Sequence, residues 1–196
     1  MTSTDVSTWP DLFIVKDFLT PDVCSEIVAE MNVAQGDAAT VYGRATSSTV
    51  DRGIRQTLRL RPSTAIVDLI KARLLAQQPA VEKHFGVNLT ECEEPQFLRY
   101  RVGDFFVAHQ DGNTGLLQLE TELRRVSLVI FLSRESEPAQ PDAYCGGSLV
   151  FTDLRGGRKY NMPGEPGMLV AFRSETTHEV TPVTQGNRYS IVSWFR

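Results

Sequence analysis

The rhythm of apolar and polar residues changes near residue 90. Before it, apolar positions recur at helical spacing. In "FLTPDVCSEIVAEMNVA" (18–34), Val23, Ile27, Val28 and Met31 line one face. Thr20 can cap this segment, Pro21 suits the first helical position, and acids fill the first turn. The second stretch, 63–86, carries an apolar stripe of Ile66, Ile70 and Leu74. Pro79 is expected to break or kink it, and Gly86 to end the short helix that follows. After residue 90 the runs are short and β-rich: "EPQFLRYRV", "DFFVAHQ", "RVSLVIFLS", "GGSLVFTD", "GMLVAFRS", "THEVTPV" and "NRYSIVSWFR". Gly, Pro, Asn and Asp separate them, so many short strands are predicted, as in a β-sandwich or barrel. Two helices packed against one face of it make the chain α+β.

Smaller signals refine this picture. "DRGIRQTLRLRP" (51–62) alternates basic and apolar residues and reads as the solvent face of a strand. "GGRKYNMPGEPG" (156–167) reads as a β-hairpin and a turn into the strand that leads towards His178. Trp9 and Pro10 are expected to cover an edge of the core. Two longer polar stretches, 113–125 and 135–147, interrupt the strands. Long loops on a rigid scaffold are where binding usually resides.

Composition narrows the class. The chain has 196 residues, 41% hydrophobic and 22% charged, which suits one packed domain rather than disorder. Its net charge of −4 offers no basic footprint for nucleic acid or an anionic membrane. No apolar run approaches the roughly 20 residues of a spanning helix. The start, "MTSTDVSTWPDLFIV", lacks the basic and apolar order of a secretory signal. Cys24, Cys92 and Cys145 are odd in number and far apart, with no CxxC, as expected of free thiols in a reducing compartment. A cytoplasmic protein is expected.

The candidate chemistry begins at "AHQDGN" (108–113). His109 and Asp111 are two apart, so on a strand both side chains point to the same face. Only three histidines occur in the chain. A second, His178, begins the run "THEVTPV". Two histidines and one carboxylate can hold a metal ion on one side and leave the opposite positions open. Each residue alone is as well explained by a polar hairpin end or a strand-end histidine. Downstream, Arg188, Ser190, Val192 and Trp194 share one face of a strand. An arginine and a hydroxyl among apolar neighbours can grip a carboxylate. Tyr100, on the strand before His109, can help hold the same ligand. His84 is read as a surface residue at a helix end, without a role.

In joint order and spacing, Tyr100, His109-x-Asp111, Gly146-Gly147, His178, Arg188-x-Ser190 and Trp194 resemble the iron(II)- and 2-oxoglutarate-dependent oxygenases. The prolyl-hydroxylase-like branch is the most similar. The resemblance covers roughly residues 91–196 and implies a double-stranded β-helix, or jelly-roll, with residues 1–90 as a helical support region packed on one sheet. It implies iron(II) on His109, Asp111 and His178. It implies 2-oxoglutarate with its distal carboxylate on Arg188, assisted by Ser190 and Tyr100, in a pocket lined by Trp194, Phe131 and Phe106. O₂ would be the second cosubstrate, with ascorbate as a candidate reductant. Phe131 and Phe106 lack the hydroxyl that relatives often carry there. Arginine stands where collagen-type enzymes use lysine. Asp111 separates the chain from related halogenases, which lack that carboxylate. The implied reaction is hydroxylation of an aliphatic C–H with release of succinate and CO₂, on a prolyl residue of a peptide or protein or on a free amino acid or other small metabolite. A jelly-roll that binds metal or ligand without catalysis is the other class. No nucleic-acid or membrane partner is expected, and the oligomeric state is not legible.

Overall fold

Thr20 does cap the first helix. Its side chain accepts a hydrogen bond from Val23 N (3.4 Å), and helix α1 runs over Pro21–Val33. The computed structural model describes residues 9–39, 41–42, 48–49, 51–112, 123–137, 140 and 143–196. Around α1 the first part of the chain forms β1 (Phe13–Val15), β2 (Gly36–Ala38), β3 (Val41–Tyr42), β4 (Ser48–Thr49), β5 (Arg55–Gln56), β6 (Leu58–Leu60) and α2 (Thr64–Phe85). Next come β7 (Gln96–Tyr100), β8 (Phe105–His109), β9 (Val126–Phe131), β10 (Arg134–Glu135), β11 (Ala143–Gly146) and β12 (Leu149–Thr152). The chain closes with β13 (Lys159–Met162), β14 (Leu169–Arg173), β15 (His178–Val180), β16 (Val183–Gln185) and β17 (Arg188–Phe195).

The strands build two facing sheets. One has seven strands in the order β1-β14-β9-β17-β7-β6-β2, the other five in the order β13-β12-β15-β8-β5. A smaller sheet, β10-β11-β16, lies beside them. The long central strands of the larger sheet are buried on both faces. In β9, Val126, Leu128 and Ile130 pack towards the helices, whereas Val129 and Phe131 pack towards the five-stranded sheet. That double burial explains why "VSLVIF" reads as a continuous apolar run instead of an alternating one. The helices supply Cys24, Ile27, Met31, Ile70, Leu74, Val81 and Phe85 to the first cluster. Each such apolar side chain contributes roughly 1.5–3 kcal/mol on burial. Trp9 packs on the cluster between the sheets, as the sequence suggested.

Two expectations are corrected. Pro79 does not divide its helix: α2 is continuous through it and ends at Gly86, which takes the left-handed conformation (φ 63°). Pro79 and Leu75, whose carbonyl loses its partner, both lie on the exposed side, and Val81 and Phe85 are buried just beyond. Solvent can satisfy the freed carbonyl while packing holds the last turns in place. Arg55 does not face solvent. It is buried, with its guanidinium 4.8 Å from the centre of the Phe106 ring. The stretch 135–147 is partly β-structure, since β11 pairs with both β10 and β16. Residues 113–122, 138–139 and 141–142 lie outside the described residues, so most of the 113–125 stretch is not described. "GGRKYNMPGEPG" supplies the turn and only the second strand of a hairpin, β13 pairing with β12, which precedes the segment. All three cysteines are free and buried. No helix among the described residues is long and apolar enough to cross a membrane.

Candidate active site

Strand register brings the two histidines together. β15 pairs with β8 in antiparallel fashion, and His178 stands directly opposite His109. Their rings lie 4.2 Å apart, centroid to centroid. Asp111 follows just past the end of β8. Its backbone N–H, and that of Gly112, donate to Ser174 O at 2.9 and 3.0 Å. Gly112 is needed there, because a Cβ would stand 2.6 Å from Arg124 O. Asp111 Oδ1 is 3.4 Å from His109 Nε2, and Oδ2 is 3.5 Å from His178 Nε2. One donor atom from each of the three residues lies within 4.8 Å of the others, close enough for one metal ion to bind all three.

The ring tautomers are set from behind. His109 Nδ1 lies 2.8 Å from Val107 O, and His178 Nδ1 lies 2.9 Å from Thr176 O. A carbonyl only accepts, so each Nδ1 carries the proton and each Nε2 turns a lone pair towards Asp111. Burial, followed by the neighbouring His109, pushes the His178 pKa down to about 4. His178 is therefore neutral near pH 7, the form that binds metal. Burial works to raise the Asp111 pKa, but the positive charge that His178 and His109 carry when protonated, with the hydrogen bond His109 then donates, overrides it and holds the carboxyl below its usual range. Ser127 Oγ donates to Asp111 Oδ2 at 2.7 Å and lies 3.0 Å from Ser174 Oγ. Aromatic rings wall the group: Phe106 stacks on His109 at 3.5 Å, and Phe172 meets His178 edge-on at 4.7 Å. Neutral imidazoles, one carboxylate and an apolar wall form a donor set suited to a divalent transition metal.

A second group of side chains lies across the fold on the larger sheet. Arg188 opens β17, is only 2% exposed, and pairs in register with Tyr100 of β7. Its Nη1 donates to Ser190 Oγ at 2.8 Å. Its guanidinium carbon sits 5.1 Å from the Tyr100 ring centre and 5.4 Å from that of Phe131. Among the described residues no carboxylate forms an ion pair with Arg188, and its Nε has no hydrogen-bond partner. A buried cation without an anion is costly, so this space suits an anionic ligand. Leu98, Tyr100, Val180 and Val183, with Phe106 and Val192, form one apolar cluster that runs between the histidines and the arginine. Trp194 joins the same face of β17, with Arg124 stacked 3.6 Å over its ring.

The structure thus gathers His109, Asp111, His178 and Phe106 in one group, and Arg188, Ser190, Tyr100 and Phe131 in another. His84 is more engaged than expected: its Nε2 lies 2.9 Å from Asp11 Oδ1, tying α2 to the start of the chain. Sequence reasoning missed Ser127 and Tyr144. Ser127 is the one polar residue in the β9 run, a signal that was available. Tyr144 sits immediately before the "CGG" of β11 and looked like loop.

Residues 95–196 match the 2OG-Fe(II) oxygenase superfamily. A PKHD-type hydroxylase of Burkholderia ambifaria is 30% identical over 182 residues, covering 92% of this chain and 76% of its own length. The crystal structure of a Pseudomonas putida prolyl-4-hydroxylase superposes with a TM-score of 0.72 at 25% identity, over 95% of this chain and 92% of the other. A prolyl hydroxylase from Trichoplax adhaerens, in complex with a hypoxia inducible factor peptide fragment, superposes at 0.69 with 18% identity, over 96% and 84%. The shared fold is the double-stranded β-helix.

Proposed function

The chain belongs to the 2OG-Fe(II) oxygenase superfamily, and from that premise we propose that it hydroxylates a prolyl residue in a peptide or protein, releasing succinate and CO₂. It is a 2-oxoglutarate-dependent dioxygenase that uses iron(II), 2-oxoglutarate and O₂. In this reading His109, Asp111 and His178 hold the iron, and Arg188, Ser190 and Tyr100 hold the distal carboxylate of 2-oxoglutarate. The observation that carries it is the buried Arg188, without a carboxylate partner among the described residues, joined by one apolar cluster to the His-Asp-His group. Iron and 2-oxoglutarate, when bound, supply O₂ activation coupled to oxidative decarboxylation, so the protein's own part is binding, orientation and protection.

Each residue has a physical task. The Val107 and Thr176 carbonyls fix the imidazoles with Nε2 free. Ser127 fixes the Asp111 carboxylate. Two histidines and one carboxylate would hold the iron and leave it positions for further ligands. Arg188 neutralises and orients an acid whose far end binds metal. Phe106, Phe151 and Phe172 keep the surroundings of His178 and His109 apolar and limit access of water. The prolyl substrate rests on the likeness to the Pseudomonas putida enzyme and the hydroxylase relatives. A peptide is the form of substrate favoured, as in the Trichoplax neighbour.

The test has two stages. Anaerobic titration of the apo-protein with iron(II) and 2-oxoglutarate should give a visible metal-to-ligand charge-transfer band that needs both. Asp111→Ala should abolish it, and Arg188→Ala should raise the 2-oxoglutarate concentration it requires by at least tenfold. Proline-containing peptides incubated with the loaded enzyme and O₂ should then gain one oxygen, read by mass spectrometry, with one succinate per hydroxylation. Iron uptake without a band would point to a non-catalytic binding module. Hydroxylation of free proline but not of any peptide would overturn the peptidyl assignment.

A further inference from the structure

We propose that Tyr144 is a positioning residue for the cosubstrate, its hydroxyl joining the Arg188 guanidinium and Ser190 in receiving the distal carboxylate of 2-oxoglutarate. The inference rests on the reading of Arg188 given above and adds a residue from a different sheet.

Tyr144 lies on β11 and is completely buried. Its hydroxyl has no hydrogen-bond partner among the described residues. Leaving a buried hydroxyl unsatisfied costs about 1–3 kcal/mol, so such a group calls for a ligand or a water. The same holds for Arg188 Nε. The two orphaned donors are neighbours. Gly147 lies between the side chains: a Cβ there would stand 3.2 Å from Arg188 Cδ and 3.4 Å from Tyr144 Cε2. Burial raises the Tyr144 pKa to about 12, while the Arg188 charge pulls it the other way. At neutral pH the phenol is therefore a proton donor, next to a cation, with no acceptor among the described residues. A carboxylate completes that set, one oxygen for the guanidinium and one for the phenol.

The packing keeps this hydroxyl in place. A Cβ on Gly164 would collide with the Tyr144 hydroxyl and stand 3.1 Å from Phe131 Cδ1. Gly164 thus leaves the room that the phenol fills. Phe131, opposite Ser190 in the larger sheet, brings no hydroxyl of its own to this pocket. Gly146 and Gly147 both take positive φ, at 65° and 62°. A turn of that kind favours glycine. It sets β11, with Tyr144, against the start of β17.

The experiment uses the full chain, loaded anaerobically with iron(II), and reads dissociation constants from the charge-transfer band. Two probes are compared: 2-oxoglutarate, and 2-oxopentanoate, which has the same metal-binding end but no distal carboxylate. Tyr144→Phe should weaken 2-oxoglutarate about tenfold and leave 2-oxopentanoate unchanged. Gly164→Ala, which displaces the hydroxyl without removing it, should repeat that pattern. Equal weakening of both probes would mean a structural role and overturn the proposal. So would an unchanged 2-oxoglutarate constant in Tyr144→Phe. Arg188→Ala separates the two layers of argument. If it loses 2-oxoglutarate while Tyr144→Phe does not, the reading of Arg188 stands and the tyrosine inference fails. If Arg188→Ala binds 2-oxoglutarate as tightly as the wild type, both fail.

Discussion

A hydroxyl behind the carboxylate decides how Asp111 points. Ser127 Oγ is buried, donates to Asp111 Oδ2 at 2.7 Å, and is braced by Ser174. Removing it leaves the carboxylate free to rotate away from the two Nε2 atoms. Groups that orient metal ligands typically matter by 10- to 100-fold in affinity. Ser127→Ala should therefore weaken iron(II) binding roughly tenfold, measured against a competing chelator, with little change in unfolding temperature. Unchanged affinity would show that the β8 turn alone holds the carboxylate. At this scale the sequence was legible where chemistry is rare. With only three histidines, the pairing of His109 with Asp111 and the later His178 stood out. Ser127 and Tyr144 did not stand out, because serine and tyrosine are ordinary in strands. What marks them is a distance to a residue far away in the chain, 2.7 Å for Ser127, and a missing partner for Tyr144.

Elements were read well where local pattern rules and badly where tertiary packing overrides it. α1 began at its cap and Pro21 as its sequence dictates. α2 is not broken at Pro79, because the helix is held by Ile70 and Leu74 before the proline and by Val81 and Phe85 after it. A proline inside a helix lacks one hydrogen bond and crowds the turn before it, at a cost near 3 kcal/mol. Pro79 is itself exposed, so alanine in its place would open no buried cavity. Pro79→Ala should thus stabilise the protein by about 1–2 kcal/mol, after allowance for the freer unfolded chain. Urea denaturation would show the midpoint rising. A midpoint that stays or falls would mean that the helix needs the bend the proline imposes. β8 and β15 show the reverse dependence. Their register, His178 opposite His109, cannot be read from either strand alone, and a slip of one residue would turn one histidine to the other face.

The layered architecture followed from the change of rhythm near residue 90, but the order of strands did not. β17 pairs with β7 on one side and β9 on the other, and β1 joins the sheet edge against β14. Such pairings are non-local, and no periodicity encodes them. One non-local contact gives the molecule an acid sensitivity. Glu93, between α2 and β7, receives Arg124 Nε and Nη2 at 2.8 and 2.6 Å and Arg196 Nε at 3.0 Å. The cluster fastens the end of the chain to the residue that stacks over Trp194. Burial would raise the Glu93 pKa, but the two arginines override it and hold the carboxyl below its usual value of 4.5. A carboxyl depressed in the folded state adds stability above its unfolded pKa, and that stability is lost as pH falls through the folded value. Glu93→Gln should therefore cost about 1–3 kcal/mol near neutral pH, since it leaves two arginines beside a neutral amide. The gap between wild type and variant should stay constant down to about pH 5 and close below it. Denaturant melts across that range would measure it. A gap that persists undiminished in acid would show that Glu93 acts by shape and hydrogen bonding, and that its charge does not hold the end of β17 against the site.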